Sequence, residues 1–118
     1  MKGNGGSIIN VTSIGSMFGF PENPAYISSK TGLSGLTRSL AYDYADLGIR
    51  VNNLVPGYFK TDMTKKLLEL NEEKLLENIP IKRIGIPEDI SGLTAFLSSD
   101  NASYITGQTF HVNGGMMM

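Results

Sequence analysis

The sequence predicts an α/β fold that forms part of a doubly wound parallel sheet. Strand-like and helix-like segments alternate along the chain as strand, helix, strand, charged helical segment, helix and strand. This is the order in which helices cross between parallel strands. Such a sheet needs helices on both faces, and three strands with two or three helices are few for that purpose. A chain of 118 residues has room for one domain at most. We therefore expect residues 1–118 to form one half of a single domain.

The first strand is predicted at 7–13, where a β-branched run follows several glycines. Helical periodicity extends from 26 to 45, and Gly48 is well placed to end this helix as a C-terminal cap. Four large residues recur in the helix at three- and four-residue spacing, and we expect them to face an apolar surface. They are Leu33, Leu36, Leu40 and Tyr44.

The second half of the chain continues the alternation. A strand is predicted at 49–55 and ends at Pro56-Gly57. An amphipathic, charged helical segment follows at 61–78. The next helix is predicted at 87–98, because proline is favoured at the first position of a helix. The last strand is predicted at 108–112, before a glycine pair and a methionine tail.

Composition excludes several classes of function. The hydrophobic content of 41% and charged content of 18% are those of an ordinary globular protein. The net charge of −1 gives no reason to expect nucleic acid or an anionic membrane as a partner. The absence of cysteine excludes disulfides and thiolate metal sites, and the single histidine, His111, excludes a His-rich cluster. Without a long apolar run or a signal-peptide core, a cytoplasmic protein is the expectation.

Three side chains suggest proton and hydride chemistry. Tyr26 and Lys30 are four residues apart at the start of a helix and therefore share one face. Ser13 lies at the carboxyl end of the preceding strand, where α/β sheets bind ligands. A phenol is a poor acid or base at neutral pH, and a nearby ammonium group favours its ionised form. Lowering the pKa of the tyrosine from about 10 to about 7 takes roughly 4 kcal/mol. One ammonium group supplies only part of this free energy, so the charge of an oxidised nicotinamide and a desolvated cleft would have to supply the rest. The serine hydroxyl would bind a carbonyl or alcohol oxygen while the tyrosine transfers the proton.

Four motifs in order give this constellation its context, because a Tyr-x-x-x-Lys spacing alone is common in surface helices. Together they resemble the short-chain dehydrogenase/reductase family over essentially the whole chain, which implies a partial Rossmann-like fold. The matching segments are Ile8–Ser13, Tyr26–Lys30, Ile49–Gly57 and Ile105–Gly115.

The resemblance implies a role for each catalytic candidate. Tyr26 would be the catalytic acid/base. Lys30 would bind the ribose hydroxyls next to the nicotinamide and tune Tyr26. Ser13 would position the substrate. The implied reaction is hydride transfer between NAD or NADP and a carbonyl or alcohol.

The same resemblance implies the nicotinamide site. Pro56 and Gly57 would let the backbone approach the ring closely. The main chain of Phe59 and the hydroxyl of Thr61 would hold the carboxamide. Phe59 stands where the family usually has a branched aliphatic residue, a mild departure because the contact is largely with the main chain.

Other residues are weaker candidates. The segment 61–84 occupies the position of the family's substrate lid. Lys65 and Lys66 within it could meet an anionic substrate or carrier, but a solvated helix face is the favoured interpretation. His111 is expected to be a packed or interfacial strand residue. Three loop residues could line a substrate pocket or fill core, with neither favoured: Met17, Phe18 and Phe20.

The resemblance also implies an N-terminal nucleotide-binding half that this sequence lacks. Gly3, Gly5 and Gly6 precede a strand instead of following one, so they do not form a pyrophosphate-binding turn. The sequence therefore does not distinguish NAD from NADP. We expect the isolated chain to be unstable or to aggregate, because the strand ending at Ser13 would have an unpaired edge.

Two classes of function remain open at this point. The first is an oxidoreductase acting on a small carbonyl or alcohol, either a 3-oxoacyl-carrier-protein or a gluconate- or polyol-type substrate. Such an enzyme is expected to be a homo-oligomer. The second is a non-catalytic remnant that acts as an oligomer-interface or interaction module.

Overall fold

The structure is a computed structural model that describes residues 4–17 and 23–118. Within these ranges three strands form one parallel sheet, as the sequence predicts, and they lie side by side in chain order. β1 spans Gly6–Val11 and β2 spans Ile49–Pro56. β3 spans Thr109–Val112. β1 ends two residues before the predicted Ser13, which leaves that serine just beyond the carboxyl edge of the sheet.

In the described part of the chain, three α-helices connect the strands. α1 spans Pro24–Tyr44, α2 spans Lys65–Glu77 and α3 spans Glu88–Ser98. α1 begins two residues before the predicted start, with Pro24 in the first turn, where its missing N–H costs no helical hydrogen bond. Gly48 has φ 69° and ends the helical segment in the left-handed conformation, as predicted. The residues that the structure describes also form three short 3₁₀ turns that were not predicted: Ile14–Ser16, Ala45–Leu47 and Asp100–Ala102.

Hydrogen bonds show that the sheet is covered on both faces. On one face, the Asn10 amide donates to the hydroxyl of Thr37 in α1 at 2.9 Å. On the other, the Ser7 hydroxyl donates to the carbonyl of Leu97 in α3 at 2.9 Å. Asn10 and Ser7 differ by an odd number of residues and so point to opposite faces of β1. The doubly wound arrangement is therefore confirmed.

The buried face of α1 differs from the prediction. Leu36 and Tyr44 of the predicted apolar stripe are 48% and 38% exposed. The residues of α1 that are buried are Ser34, Thr37 and Ala41. Small side chains let the helix lie close to β2, and their hydroxyls find partners in the strands, which the apolar pattern alone does not reveal.

Two apolar clusters hold these layers together. The first lies between α1 and the sheet and consists of Ala41, Ile49 and Val51, with Ile8 and Leu40 packed against it. The second lies within the predicted lid, between α2 and the turn that follows it. It consists of Leu68, Ile79 and Ile84, with Tyr58, Leu75, Leu76 and Met116 packed against it. The lid segment therefore has its own apolar centre, which also contacts the C-terminal tail.

The start of α3 is fixed by one carboxylate. The Arg83 guanidinium donates to Asp89 through two bonds of 2.6 and 2.7 Å, and the Ile86 amide donates to Asp89 at 2.8 Å. These donors hold the pKa of the Asp89 carboxyl well below its ordinary value, because they stabilise its charged form. This contact joins the end of the lid segment to α3.

Two further findings concern the described residues as a set. Among 4–17 and 23–118, no helix is both long and apolar enough to span a bilayer. In the same ranges, β1 has β2 as its one strand partner, so its other edge carries unpaired backbone groups as predicted.

Candidate active site

A cleft of about 460 Å³ opens at the carboxyl ends of β1 and β2. Ligand sites of small molecules commonly have volumes of about 300–1,000 Å³. The residues predicted to form the catalytic and nicotinamide sites all line this one cleft. These residues are Ser13, Tyr26, Lys30, Pro56, Gly57, Phe59 and Thr61.

Ser13 follows β1 in an extended conformation and begins the first 3₁₀ turn. Its Oγ accepts a hydrogen bond from the Gly15 amide at 3.0 Å. Its carbonyl accepts hydrogen bonds from the amide and the hydroxyl of Ser16, at 2.9 and 2.7 Å. A serine hydroxyl has one hydrogen to donate, and the bond from Gly15 does not use it. Ser13 is thus held as an acceptor from the backbone while keeping a donor for a ligand oxygen.

Lys30 lies between the end of β1 and Tyr26. Its Nζ donates to the Val11 carbonyl at 3.1 Å and lies 5.8 Å from the centre of the Tyr26 ring. The bond to Val11 restrains an otherwise flexible side chain. The ammonium group is therefore placed over the tyrosine ring, within the range of a cation–π contact.

The fold itself requires a glycine at position 57. A Cβ at this position would lie 2.8 Å from Cβ and 2.9 Å from Cα of Asn113, which follows β3. The glycine is therefore needed for the ends of β2 and β3 to pack together. Close approach of a cofactor, the reason expected from the sequence, stays a prediction.

Phe59 and Thr61 are bound to each other through Thr64, a residue that the sequence interpretation missed. The Thr64 hydroxyl donates to the Phe59 carbonyl and accepts a hydrogen bond from the Thr61 amide at 3.0 Å. The Thr64 amide donates to the Thr61 hydroxyl at 3.2 Å. The Thr-x-x-Thr spacing just before a charged helix is the signal that could have revealed this capping arrangement.

The Phe59 side chain fits here for a reason visible in the fold. A Cβ at Gly85 would lie 2.9 Å from Cε1 of the Phe59 ring, so the ring packs flat on a glycine. Phe59 and Gly85 also form an isolated parallel bridge. The ring of this larger residue is thus accommodated against Gly85.

The remaining wall of the cleft is largely apolar. Lys30 is the one charged residue among the described residues that line it. Met63 from the segment before α2 is 80% exposed and is available to a ligand. The large apolar and aromatic residues of the lining are Val11, Ile14, Ile27, Tyr58, Phe59, Met63 and Leu67.

The weaker candidates lie elsewhere. Met17 is 48% exposed and is not part of the cleft lining, while Phe18 and Phe20 lie outside the described residues. His111 is exposed on β3, opposite Val55, and also does not line the cleft. Lys65 and Lys66 are exposed. Among the residues that the structure describes, no group of three or more His, Cys, Asp or Glu side chains is arranged to hold a metal.

Comparison with known proteins identifies the family. A family model described as enoyl-(acyl carrier protein) reductase matches residues 1–117. The chain belongs to the short-chain dehydrogenase/reductase family. The resemblance inferred from four ordered motifs is therefore confirmed, and so is the Rossmann-like character of the sheet.

Individual members of the family differ in activity. A 3-oxoacyl-(acyl-carrier-protein) reductase of Rickettsia felis is 51% identical over 118 residues, which are 100% of this chain and 49% of that protein. A glucose/ribitol dehydrogenase-type short-chain dehydrogenase/reductase from Brucella melitensis has a TM-score of 0.89 at 37% identity, over 95% of this chain and 45% of that one. A gluconate 5-dehydrogenase from Burkholderia cenocepacia in complex with NADP and tartrate has a TM-score of 0.89 at 32% identity, over 93% and 44%. The chain thus spans about half the length of the curated relatives it matches.

Proposed function

We propose that residues 1–118 supply the catalytic part of an NAD(P)-dependent oxidoreductase that interconverts a carbonyl and an alcohol. The observation that supports this proposal is that Ser13, Tyr26 and Lys30 line one cleft at the carboxyl edge of the sheet. Ligands of open α/β sheets bind at that edge. Family membership supports the same class of reaction.

In the proposed mechanism, each of the three residues acts on a different part of the reaction. The nicotinamide cofactor, when bound, supplies the hydride that adds to the carbonyl carbon. Ser13 donates a hydrogen bond to the carbonyl oxygen and holds it in place. Tyr26 gives its phenol proton to that oxygen as negative charge develops there. Lys30 stabilises the phenolate that remains on Tyr26.

The residues present are suited to the nicotinamide end of NAD or NADP. Lys30 offers a cationic donor to ribose hydroxyls, and it is already fixed at the cleft by Val11. Phe59 and Thr61 line the same cleft, and the main chain of the first and the hydroxyl of the second would offer hydrogen-bonding groups to a carboxamide. Pro56 and Gly57 line this cleft at the end of β2, where the backbone would approach the ring.

For the substrate, we favour a 3-oxoacyl thioester over a sugar acid or polyol. A polyol carries several hydroxyls and a sugar acid also carries a carboxylate, and both lose affinity when these groups meet apolar walls. The described lining of the cleft is mainly apolar, and Lys30, its one charged residue, is assigned to the cofactor. An acyl chain instead gains from burial against Met63 and Leu67. The name of the Rickettsia felis relative agrees with this preference.

A substrate comparison tests this preference. Oxidation of NADPH or NADH is followed with acetoacetyl-CoA and, separately, with crotonyl-CoA. Reduction of NADP or NAD is followed with gluconate, which tests the reaction in the reverse direction. We expect turnover of acetoacetyl-CoA to exceed that of the other two by at least about 10-fold, a difference of about 1.4 kcal/mol in transition-state binding. Faster turnover of gluconate would refute the acyl assignment, and faster turnover of crotonyl-CoA would favour the enoyl reduction named in the family description.

The alternative is a non-catalytic interaction module, and one observation favours it. Tyr42 is 88% exposed and Leu36 is 48% exposed on the outer face of α1, so that face offers apolar surface to a partner. Titration of the 118-residue chain with NADPH and NADH, followed by fluorescence, separates the two functions. Saturable binding supports the enzyme. No binding of either cofactor by a folded chain supports the module and counts against the enzyme.

A further inference from the structure

A buried polar network lies directly beneath the cleft, between the sheet and α1. The Thr12 hydroxyl donates to Oδ1 of Asn53 in β2 at 2.9 Å. Nδ2 of Asn53 donates to the Ser34 hydroxyl in α1 at 2.7 Å. The exposed fractions of Thr12, Asn53 and Ser34 are 3%, 1% and 8%. Asn53 thus uses both ends of its amide to join the segment after β1 to α1.

Packing a helix on a sheet through buried polar groups costs more free energy than packing it through apolar side chains. Burying an amide is unfavourable until each of its polar atoms has a partner, whereas apolar side chains would stabilise the same interface without that condition. Apolar contacts are non-directional and tolerate sliding, but hydrogen bonds require defined distances and angles. The network therefore specifies where α1 lies along the sheet.

The two ends of the network are connected to the proposed catalytic residues. Thr12 immediately precedes Ser13, and Ser34 lies one helical turn after Lys30 and about two turns after Tyr26. The bond from Lys30 to the Val11 carbonyl is a second tie between the same two elements. A movement of α1 along the sheet would change the separation between Ser13 and Tyr26.

We propose that Asn53 is a positioning residue that sets the separation between the Ser13 hydroxyl and the Tyr26 phenol, an inference that rests on the proposed function. Asn53 does not line the cleft and acts only through Thr12 and Ser34. Misplacement of reacting groups by about 1 Å is sufficient to lower a rate by about 100-fold.

The neighbouring Asn52 provides a matched control in the same strand. It is also fully buried, with 0% exposure, and its amide also makes two hydrogen bonds. Its Nδ2 donates to the Ile105 carbonyl and its Oδ1 accepts from the Gln108 amide, each at 3.0 Å. Asn52 therefore joins β2 to the segment before β3 and has no bond to α1. Asn52→Ala and Asn53→Ala remove the same atoms at equal burial.

The test compares the two variants at a temperature where circular dichroism shows equal folded fractions. For Asn53→Ala we expect kcat with acetoacetyl-CoA to fall by about 10- to 100-fold, with KM changed by less than about 3-fold. For Asn52→Ala we expect kcat within about 3-fold of the unmodified chain. If Asn53→Ala does not fold, the milder Ser34→Ala replaces it, with a fall in kcat of the same sign.

Hydrogen exchange measured by mass spectrometry gives a second readout that does not depend on activity. We expect Asn53→Ala to raise exchange in peptides covering 13–17, where amides bond to the carbonyls of Ser13 and Ile14. Asn52→Ala should raise exchange in peptides covering 105–108 instead. If the unmodified chain shows no reductase activity, the proposed function fails, and the exchange pattern alone decides whether Asn53 holds the Ser13 segment. Equal kcat in the two variants, or an unchanged exchange rate at 13–17, would overturn the positioning role.

Discussion

At the scale of single residues, the cleft depends on side chains that are fixed by the backbone around them. Ser13 is held by the Gly15 amide, and Lys30 is held by the Val11 carbonyl. Preorganised donors cost little reorganisation during a reaction, which is why such ties matter for catalysis. The identity of Ser13, Tyr26 and Lys30 as candidates was predictable from spacing and context. The backbone groups that fix them were not, because they carry no sequence signal.

Lys30 is expected to serve both cofactor and catalysis. Lys30→Ala removes the charge near Tyr26 and the donor for ribose hydroxyls, so we expect weaker cofactor binding and a fall in kcat of about 100-fold or more. Fluorescence titration and steady-state kinetics measure the two effects separately. Lys74→Ala, at an exposed position in α2, is the control. If Lys30→Ala binds the cofactor with an unchanged Kd, the proposed contact between Lys30 and the ribose hydroxyls is wrong.

Thr64, which the sequence did not single out, is expected to support the proposed nicotinamide site. Thr64→Val keeps the shape of the side chain but removes the hydroxyl that bonds the Phe59 carbonyl and the Thr61 amide. The Thr64 amide keeps its bond to the Thr61 hydroxyl, so the turn that carries Phe59 and Thr61 should loosen without unfolding. We expect the Kd for NADPH to rise by about 3- to 10-fold, the effect of one to two ordinary hydrogen bonds. Thr94→Val is the control, because the Thr94 hydroxyl bonds only within α3, to the Ile90 carbonyl. Equal Kd values for the two variants would show that Thr64 merely caps the turn.

At the scale of elements, the bounds of the strands and helices were predictable to within a few residues. The face that each element buries was not always predictable. The stripe containing Leu36 and Tyr44 was expected to be covered, and the structure instead buries Ser34 and Thr37. Periodicity counts polar residues as outward-facing. These two are inward-facing because asparagines in distant strands provide their partners. Hydrogen bonds between residues distant in sequence cannot be predicted from the local pattern of apolar and polar residues.

The start of α3 gives a prediction about pH. The pKa of Asp89 in the folded chain lies below its ordinary value of 3.8, so the Asp89 contacts stabilise the fold fully above that pH and are lost as pH falls through the folded value. Asp89→Asn should therefore lower the urea midpoint at pH 7 and have a smaller effect near pH 2. Circular dichroism measures both midpoints. Asp43→Asn, an exposed position on α1, is the control. An equal loss at both pH values would show that Asp89 acts by capping geometry and not by charge.

At the scale of the whole molecule, the described residues leave apolar surface and the outer edges of β1 and β3 without a strand partner. Tyr42 is 88% exposed and Val11, at the end of β1, is 48% exposed. Open strand edges and apolar patches favour association with another chain. We therefore expect the 118-residue chain to associate or to aggregate when purified. Sedimentation and thermal melting test this expectation, and a cooperative melt of a stable monomer would contradict it.

The order of elements, and with it the family, was predictable because short motifs mark strand ends and helix starts in a fixed sequence. The lid's internal cluster was not, because it brings Leu68 together with Ile79, Ile84 and Met116 across a turn and the C-terminal tail. The close packing of Gly57 on Asn113 likewise became visible only when β2 and β3 were placed side by side. Contacts between segments distant in sequence account for most of what was missed.

The central claim is that Tyr26 transfers the proton in a hydride-transfer reaction, and one pair of variants tests it most directly. Tyr26→Phe removes only the phenol oxygen at the cleft, while Tyr42→Phe removes it from the same helix at an exposed position outside the cleft. The measurement is the rate of acetoacetyl-CoA reduction at saturating NADPH, with cofactor binding checked by fluorescence. We predict a loss of at least about 100-fold for Tyr26→Phe with cofactor binding retained, and no change for Tyr42→Phe. Comparable rates in the two variants would contradict the account.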